Sequence, residues 1–94
     1  MISDELLGRY PRETLRWLRG QLRMSQEVFA EHLDVIPQTV AAWETRRHAI
    51  APRNRERIAP LLAPQLATPE GMAFARAIMS SAAPRAASAA SARG

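Results

Sequence analysis

The fold is decided by residues 25–45, SQEVFAEHLDVIPQTVAAWET. Ser25 is a good N-cap residue, and the apolar side chains that follow it predict a short helix over residues 26–33. Proline is favoured at the first position of a helix, so Pro37 predicts the start of a second helix over residues 37–45. A turn of only three residues separates the two segments, which is typical of two helices that cross steeply.

Several residues inside this stretch suit two helices in close contact. Ala30 is small enough for a helix contact, and Asp34 tolerates the left-handed backbone that a tight turn requires. Val40 and Trp43 lie three residues apart and give the second helix a buried side, which leaves its other side for solvent. The sequence therefore predicts a helix-turn-helix unit over residues 26–45.

Further helices are predicted before and after this unit. An apolar stripe predicts a helix over residues 11–23, and a shorter helical turn is expected over residues 3–9. The stripe consists of Leu15, Leu18 and Leu22. Pro52 opens another helix, in which Pro60 is expected to bend or split the chain because its ring clashes with the preceding turn. The predicted fold class is all-α, a compact four- to five-helix bundle.

Composition divides the chain into three parts. The helical bundle that contains the helix-turn-helix unit is expected to occupy residues 1–66, with a C-terminal helix over residues 67–80. Thr68-Pro69-Glu70 marks the start of that helix with an N-cap, a proline and an acid. Residues 81–94 contain no apolar side chain larger than Ala, so they cannot contribute to a core and are expected to form a disordered Ala/Ser/Arg tail.

The composition also argues against several classes of function. The chain has no Cys, which rules out disulfides, thiolate metal sites and cysteine nucleophiles. His32 and His48 are too few and too far apart for a metal site, and no metal or other cofactor is expected. Ser25, His32 and Asp34 suit structural roles better than a hydrolytic set, so we expect no enzymatic activity. With no signal sequence or membrane-length apolar run, a cytoplasmic location is expected.

Positive charge is concentrated on either side of the predicted unit. All 13 basic residues are Arg, a side chain that binds phosphate or carboxylate through paired hydrogen bonds. Residues 1–23 and 46–57 carry five Arg each, whereas residues 24–45 carry four acids and no Arg. This distribution is typical of a domain that contacts nucleic-acid backbone from its edges. A solvated, salt-bridged surface is the alternative.

The run from Leu18 to Pro52, LRGQLRMSQEVFAEHLDVIPQTVAAWETRRHAIAP, combines several of these features. Ser25-Gln26-Glu27 precedes an apolar pair, and Trp43-Glu44 precedes a basic loop closed by Pro52. Together they resemble the helix-turn-helix of the lambda-repressor and Cro-like (Xre) family of phage and bacterial regulators. With its flanking helices the resemblance covers about residues 11–63. It implies sequence-specific binding to duplex DNA and transcription regulation, with the second helix of the unit in the major groove.

The chain departs from that family's pattern at its turns. The family favours glycine where this chain has Arg23, Asp34 and Arg46, because glycine enters left-handed backbone without a steric cost. The polar cap that the family places before its DNA-reading helix is replaced by Ile36. Two explanations are open for the arginines, namely altered turns or strained loops held open for phosphate contact.

The resemblance implies which side chains would read the bases. They are Pro37, Gln38, Ala41 and Ala42. Gln38 would form paired hydrogen bonds with adenine, while Ala41 or Ala42 would meet a thymine methyl group. The alternative for the two alanines is that they only fill the helix.

The resemblance also implies contacts to backbone phosphates. These would be made by Gln26, Thr39, Arg46, Arg47 and Arg53. Gln26 would use its amide at the start of its helix, and its alternative is an ordinary exposed side chain. Arg55 and Arg57 are either further contacts or simply solvated.

One structural ion pair is implied by the same resemblance. In that family an Arg at the end of the first long helix pairs with a Glu that follows the buried anchor of the DNA-reading helix. Here these residues are Arg19 and Glu44. Such a pair would orient the loop that carries Arg46 and Arg47.

Residues 67–80 are the expected dimer contact, because their apolar side chains have no obvious place in the bundle. The candidates are Met72, Phe74, Ile78 and Met79. A helix folded back onto its own domain is the alternative, and Trp17 is expected to cover either the N-terminal turn or a partner subunit. The protein is thus predicted to act as a homodimer on a palindromic operator. The alternatives are an antitoxin-type regulator whose C-terminal segment binds a protein, and a DNA-bending recombination or nucleoid accessory protein.

Overall fold

The helices of the protein begin where the sequence places its start signals. The computed structural model describes residues 2–45 and 47–80. Helices α1 to α5 are Ile2–Arg9, Pro11–Leu22, Gln26–Leu33, Pro37–Glu44 and Pro52–Leu66, and a sixth helix, α6, covers residues 69–80. These two ranges contain no strand, so the prediction of an all-helical fold is confirmed. Nor does any helix in them have the length and apolarity needed to cross a membrane.

Local chemistry accounts for most of the helix starts. The Ser25 hydroxyl accepts a hydrogen bond from the Val28 N–H at 3.1 Å, and the Thr68 hydroxyl accepts one from the Gly71 N–H at 3.0 Å. Both contacts satisfy amides that the first turn of a helix leaves without a partner. Prolines stand at the first position of α2, α4 and α5, where the missing N–H costs nothing.

Pro60 was expected to bend or split its helix, and the split does not occur, because α5 runs through both Pro60 and Pro64. Each proline removes one backbone hydrogen bond. Both prolines are exposed, so the carbonyl groups left over can bond to water. The opposite side of α5 is packed against the core, and this packing maintains the helix. The buried side chains on that side are Ile58, Leu62 and Leu66.

Two turns adopt left-handed backbone without glycine. Arg23 has φ 56° and Asp34 has φ 57°, at two of the three positions where the resembling family favours glycine. Each turn is closed by backbone hydrogen bonds, from the Met24 N–H to the Arg19 carbonyl at 2.9 Å and from the Val35 N–H to the Ala30 carbonyl at 3.0 Å. This closure offsets a steric cost of about 1–2 kcal/mol for a residue with a Cβ. The third position, Arg46, lies outside the described residues.

A single core joins the helices. It includes Leu6, Leu15, Leu18, Phe29, Val40, Trp43, Ile50, Ile58 and Leu62, all at most 2% exposed. In this core α3 packs on α4, α4 on α2, and α1 on both α2 and α5. The described chain therefore surrounds one hydrophobic centre, with the 26–45 unit on one side of it.

Helix α6 folds back onto the rest of the molecule. The rings of Trp17 and Phe74 stack with centroids 4.5 Å apart and planes 9° apart, and Ala75 is buried in the core. Trp17 thus packs against α6, which is neither of the two surfaces expected from the sequence, the N-terminal turn or a partner subunit. Residues 81–94, for which the sequence predicted a disordered tail, lie outside the described residues.

Candidate nucleic-acid interface

Helix α4 buries one side and exposes the other. Val40 is 0% and Trp43 2% exposed, whereas Gln38 is exposed. Beside Gln38 the outer side of the helix forms a shallow, open concavity. Its lining residues are Gln38, Ala41, Ala42, Thr45 and Arg47. The structure therefore brings three of the four residues predicted to read bases onto one accessible surface.

The fourth of these residues, Pro37, is half-buried at the start of α4, as is Thr39. Ile36 occupies the N-cap position with its side chain 62% exposed, and it makes no capping hydrogen bond. The amides of the first turn consequently receive no side-chain acceptor from Ile36. Within that turn the Thr39 N–H donates to the Ile36 carbonyl at 3.0 Å, and Pro37 has no N–H that needs an acceptor.

The end of α4 is tied down by Thr45 and Arg47. The Thr45 hydroxyl donates to the carbonyls of Ala41 and Ala42, at 3.0 and 3.3 Å. The backbone N–H of Arg47 donates to the Ala42 carbonyl at 2.9 Å. Because the Thr45 hydroxyl is hydrogen-bonded within its own helix, the exposed Arg47 is the stronger candidate for an external contact at this end.

The implied pair of Arg19 and Glu44 lies behind this surface. The Arg19 Nε donates to Glu44 Oε2 at 2.6 Å and its Nη2 donates to Oε1 at 2.9 Å, a forked arrangement. The Glu44 side chain is only 2% exposed. The third nitrogen of Arg19, Nη1, donates to the Met24 carbonyl at 2.9 Å. One guanidinium thus joins the end of α2, the turn before α3 and the end of α4.

The hydrogen bonds that Arg19 donates to Glu44 raise the pKa of Arg19 above its ordinary value, while partial burial opposes the shift and the charge of Glu44 adds to it. A raised pKa means that the ionisation of Arg19 contributes its full stability at any pH below the ordinary pKa of arginine. That contribution is lost only as the pH rises through the raised value. The guanidinium therefore stays charged at every pH below the ordinary pKa of arginine.

Gln26 belongs to the same network. Its Nε2 donates to Glu44 Oε1 at 3.3 Å, and the side chain is half-buried at the start of α3. The Nε of Arg16 lies 3.8 Å from the same carboxylate oxygen, with its side chain 56% exposed. Glu44 therefore positions the amide predicted to contact phosphate. Neither the Gln26 nor the Arg16 contact could be read from sequence spacing, because both join separate helices.

The arginines within residues 46–57 separate into two groups. Arg47 and Arg53 are exposed, whereas Arg55 and Arg57 bind parts of their own chain. Arg55 donates to Asp4 Oδ1 at 2.8 Å and to the Ile50 carbonyl at 2.7 Å. Arg57 donates to the Leu33 carbonyl at 2.9 Å, at the end of α3 where a cation is favoured. Arg46 lies outside the described residues.

The predicted dimer residues do not share one environment. Phe74 is stacked on Trp17, and Ile78 and Met79 are partly buried against the core. Met72 is 51% exposed. The surface of α6 that can meet another molecule is therefore smaller than the sequence suggested.

The part of the chain that the structure describes holds no group of three or more His, Asp or Glu side chains able to bind a metal ion. Comparison of the chain with protein-family models, with curated proteins and with solved structures finds no match.

Proposed function

We propose that this protein is a sequence-specific, duplex-DNA-binding transcriptional regulator of the lambda-repressor-like type, in which α4 enters the major groove. The observation that carries the proposal is the two-sided character of α4. Val40 and Trp43 are buried on one side, and Gln38 is exposed beside the concavity on the other. The regulator would act in the cytoplasm on the nucleoid, as a homodimer on a palindromic operator.

The outer side of α4 has the chemistry needed to read A·T pairs. A glutamine amide can form two hydrogen bonds with the N6 and N7 positions of adenine, and an alanine side chain can contact the thymine methyl group. Gln38, Ala41 and Ala42 offer these groups on adjoining positions of one surface. The same surface offers Arg47 at its edge, where a phosphate would lie. We therefore expect the operator to contain A·T pairs at the centre of each half-site.

Phosphate contacts would fix the position of α4 in the groove. Arg47 and Arg53 are exposed for such contacts, and Arg46 and Thr39 are further candidates from the sequence. The amide of Gln26, held by Glu44 at 3.3 Å, would bind a phosphate at the start of α3. In this arrangement the Arg19–Glu44 pair is a positioning device, because Arg19 joins the end of α4 to the turn before α3, and both places would lie beside the DNA backbone.

We expect Arg47→Ala and Arg53→Ala each to flatten the salt dependence of DNA binding. Each phosphate contact that is lost lowers the slope of log affinity against log salt by about 0.9. The measurement is a fluorescence anisotropy titration of a labelled random-sequence duplex, at several salt concentrations between about 50 and 200 mM. A random duplex suffices because phosphate contacts do not depend on sequence.

Arg9→Ala is the matched control for this experiment, because Arg9 is exposed on α1 and its nearest ionic partner, Glu5 Oε2, lies on the same helix at 3.9 Å. We expect this variant to keep the slope of the unaltered protein. Slopes that are equal for all three variants and the unaltered protein would remove Arg47 and Arg53 from the interface.

A further inference from the structure

One arginine keeps a strained backbone although its side chain has no partner in the described chain. Arg23 follows α2 with φ 56° and ψ 45°, in the left-handed region. The hydrogen bond that closes this turn, from the Met24 N–H to the Arg19 carbonyl, joins backbone atoms, so glycine would allow it without the steric cost. The Arg23 side chain is exposed and makes no hydrogen bond or ion pair within the part of the chain that the structure describes. A cost that the protein does not recover indicates a contact with another molecule.

A second arginine of α2 has a positive charge that is not neutralised. The Arg16 Nε lies 3.8 Å from Glu44 Oε1, beyond hydrogen-bond distance, and its side chain is 56% exposed. Both oxygens of Glu44 already accept hydrogen bonds from Arg19, at 2.6 and 2.9 Å. Since one carboxylate balances one guanidinium, the cluster of two arginines and one glutamate keeps one positive charge. Arg16 can therefore still bind an anion from outside the protein.

Both arginines lie beside the residue predicted to bind a phosphate at the start of α3. The Gln26 Nε2 donates to Glu44 Oε1, the same oxygen that Arg16 approaches. Arg23 precedes Gln26 by three residues, which span at most about 11 Å of chain. Glu44 is three residues from Ala41 and is therefore its neighbour on the surface of α4. The three side chains consequently border the outer side of α4.

We propose that Arg16 and Arg23, together with the Gln26 amide, form a second phosphate-binding edge, the α2 edge, which contacts the DNA backbone beside α4. The inference rests on the proposed function, because the ligand is the backbone of the duplex that α4 enters. A guanidinium binds phosphate through both charge and paired hydrogen bonds. The turn before α3 is not altered, since Arg23 adopts the backbone that glycine would adopt. The phosphate contact explains why arginine stands there.

Replacing either arginine is expected to flatten the salt dependence of DNA binding. Arg23→Gly and Arg16→Ala should each lower the slope of log affinity against log salt by about 0.9, and the double variant by about 1.8. Fluorescence anisotropy with a labelled random-sequence duplex, at about 50–200 mM salt, measures the slopes. Arg23→Lys keeps the charge and should keep the slope. Arg12→Ala is the matched control, because Arg12 is exposed at the other end of α2, and it should also keep the slope.

Arg23→Gly has a second expected effect, on stability, with the opposite sign. Glycine removes the steric cost of left-handed backbone but makes the unfolded chain more flexible, so the melting temperature should rise by only about 2–4 °C. Asp34→Gly makes the same change at the other left-handed turn, where φ is 57°. It should raise the melting temperature similarly without lowering the slope. Misfolding cannot explain a variant that is more stable and yet makes fewer phosphate contacts.

The slopes separate this inference from the proposed function. If Arg23→Gly and Arg16→Ala keep the slope while Arg47→Ala lowers it, the α2 edge is wrong and the proposed function stands. If the two α2 variants lower the slope while Arg47→Ala and the sequence preference of Gln38→Ala are unchanged, the α2 edge stands and the proposed function fails. A melting temperature that falls in Arg23→Gly but rises in Asp34→Gly would show that Arg23 stabilises its own chain, and it would overturn the inference. An unaltered protein that binds no duplex would contradict both.

Discussion

Replacing Arg19 with Met is expected to lower the free energy of unfolding by about 3 kcal/mol, the lower end of the range for breaking a buried ion pair. The variant leaves the Glu44 carboxylate, 2% exposed, without its forked partner. The Gln26 amide at 3.3 Å and the Arg16 guanidinium at 3.8 Å remain beside it, which limits the loss. For a domain of this size the melting temperature should fall by roughly 12–24 °C.

Arg12→Met provides the matched control for this loss, because Arg12 is exposed on the same helix and its replacement should change stability by less than about 0.5 kcal/mol. A double variant, Arg19→Met with Glu44→Leu, removes both charges and should recover most of the loss. Urea unfolding of the four proteins measures these differences. If Arg19→Met and Arg12→Met are equally stable, the pair does not hold the helices together.

Gly71→Ala is expected to detach α6, at a cost of about 2–3 kcal/mol. A Cβ on Gly71 would lie 1.9 Å from the Gln65 carbonyl oxygen and 2.5 Å from the Leu66 Cα. Both are backbone atoms at the end of α5, so no change of rotamer can relieve the clash. The α6 amides should lose protection from hydrogen exchange, and the Trp17–Phe74 stack should separate.

Gly20→Ala tests the same substitution where there is space for it. A Cβ on Gly20 meets nothing within 4 Å, and the residue lies inside α2. Alanine should therefore stabilise the protein by about 0.5–1 kcal/mol, by restricting the unfolded chain. Opposite signs for the two variants are the expected result. Equal changes in stability for the two variants, or unchanged hydrogen exchange of the α6 amides in Gly71→Ala, would contradict this. Either result would show that the docking of α6 does not depend on the close approach of Gly71 to the end of α5.

The sequence predicted those parts of the fold that local chemistry determines. Ser25 and Thr68 cap helices as expected, because an N-cap acts within three residues of its own position. The bounds Gln26–Leu33 match the predicted helix over residues 26–33. The split expected at Pro60 does not occur, because the cost of a proline depends on whether its side of the helix faces solvent, and the local sequence does not determine that.

Contacts between distant parts of the chain were not predictable in the same way. The Trp17–Phe74 stack joins residues from α2 and α6, and the Arg57 contact to the Leu33 carbonyl joins α5 to α3. Both depend on the relative placement of helices, which apolar periodicity does not fix. The pairing of Arg19 with Glu44 was anticipated from the resemblance to a known family, and not from spacing.

Selection of binding sites from random duplexes, with the full chain and with Gln38→Ala in parallel, tests most directly whether α4 reads DNA. We predict that the unaltered protein prefers its selected sites by roughly 10³-fold or more over random DNA. The Gln38→Ala variant should lose that preference at one or two base pairs in each half-site and keep it elsewhere. An unchanged preference in the variant, or no binding of the unaltered protein to any duplex at low ionic strength, would contradict the account.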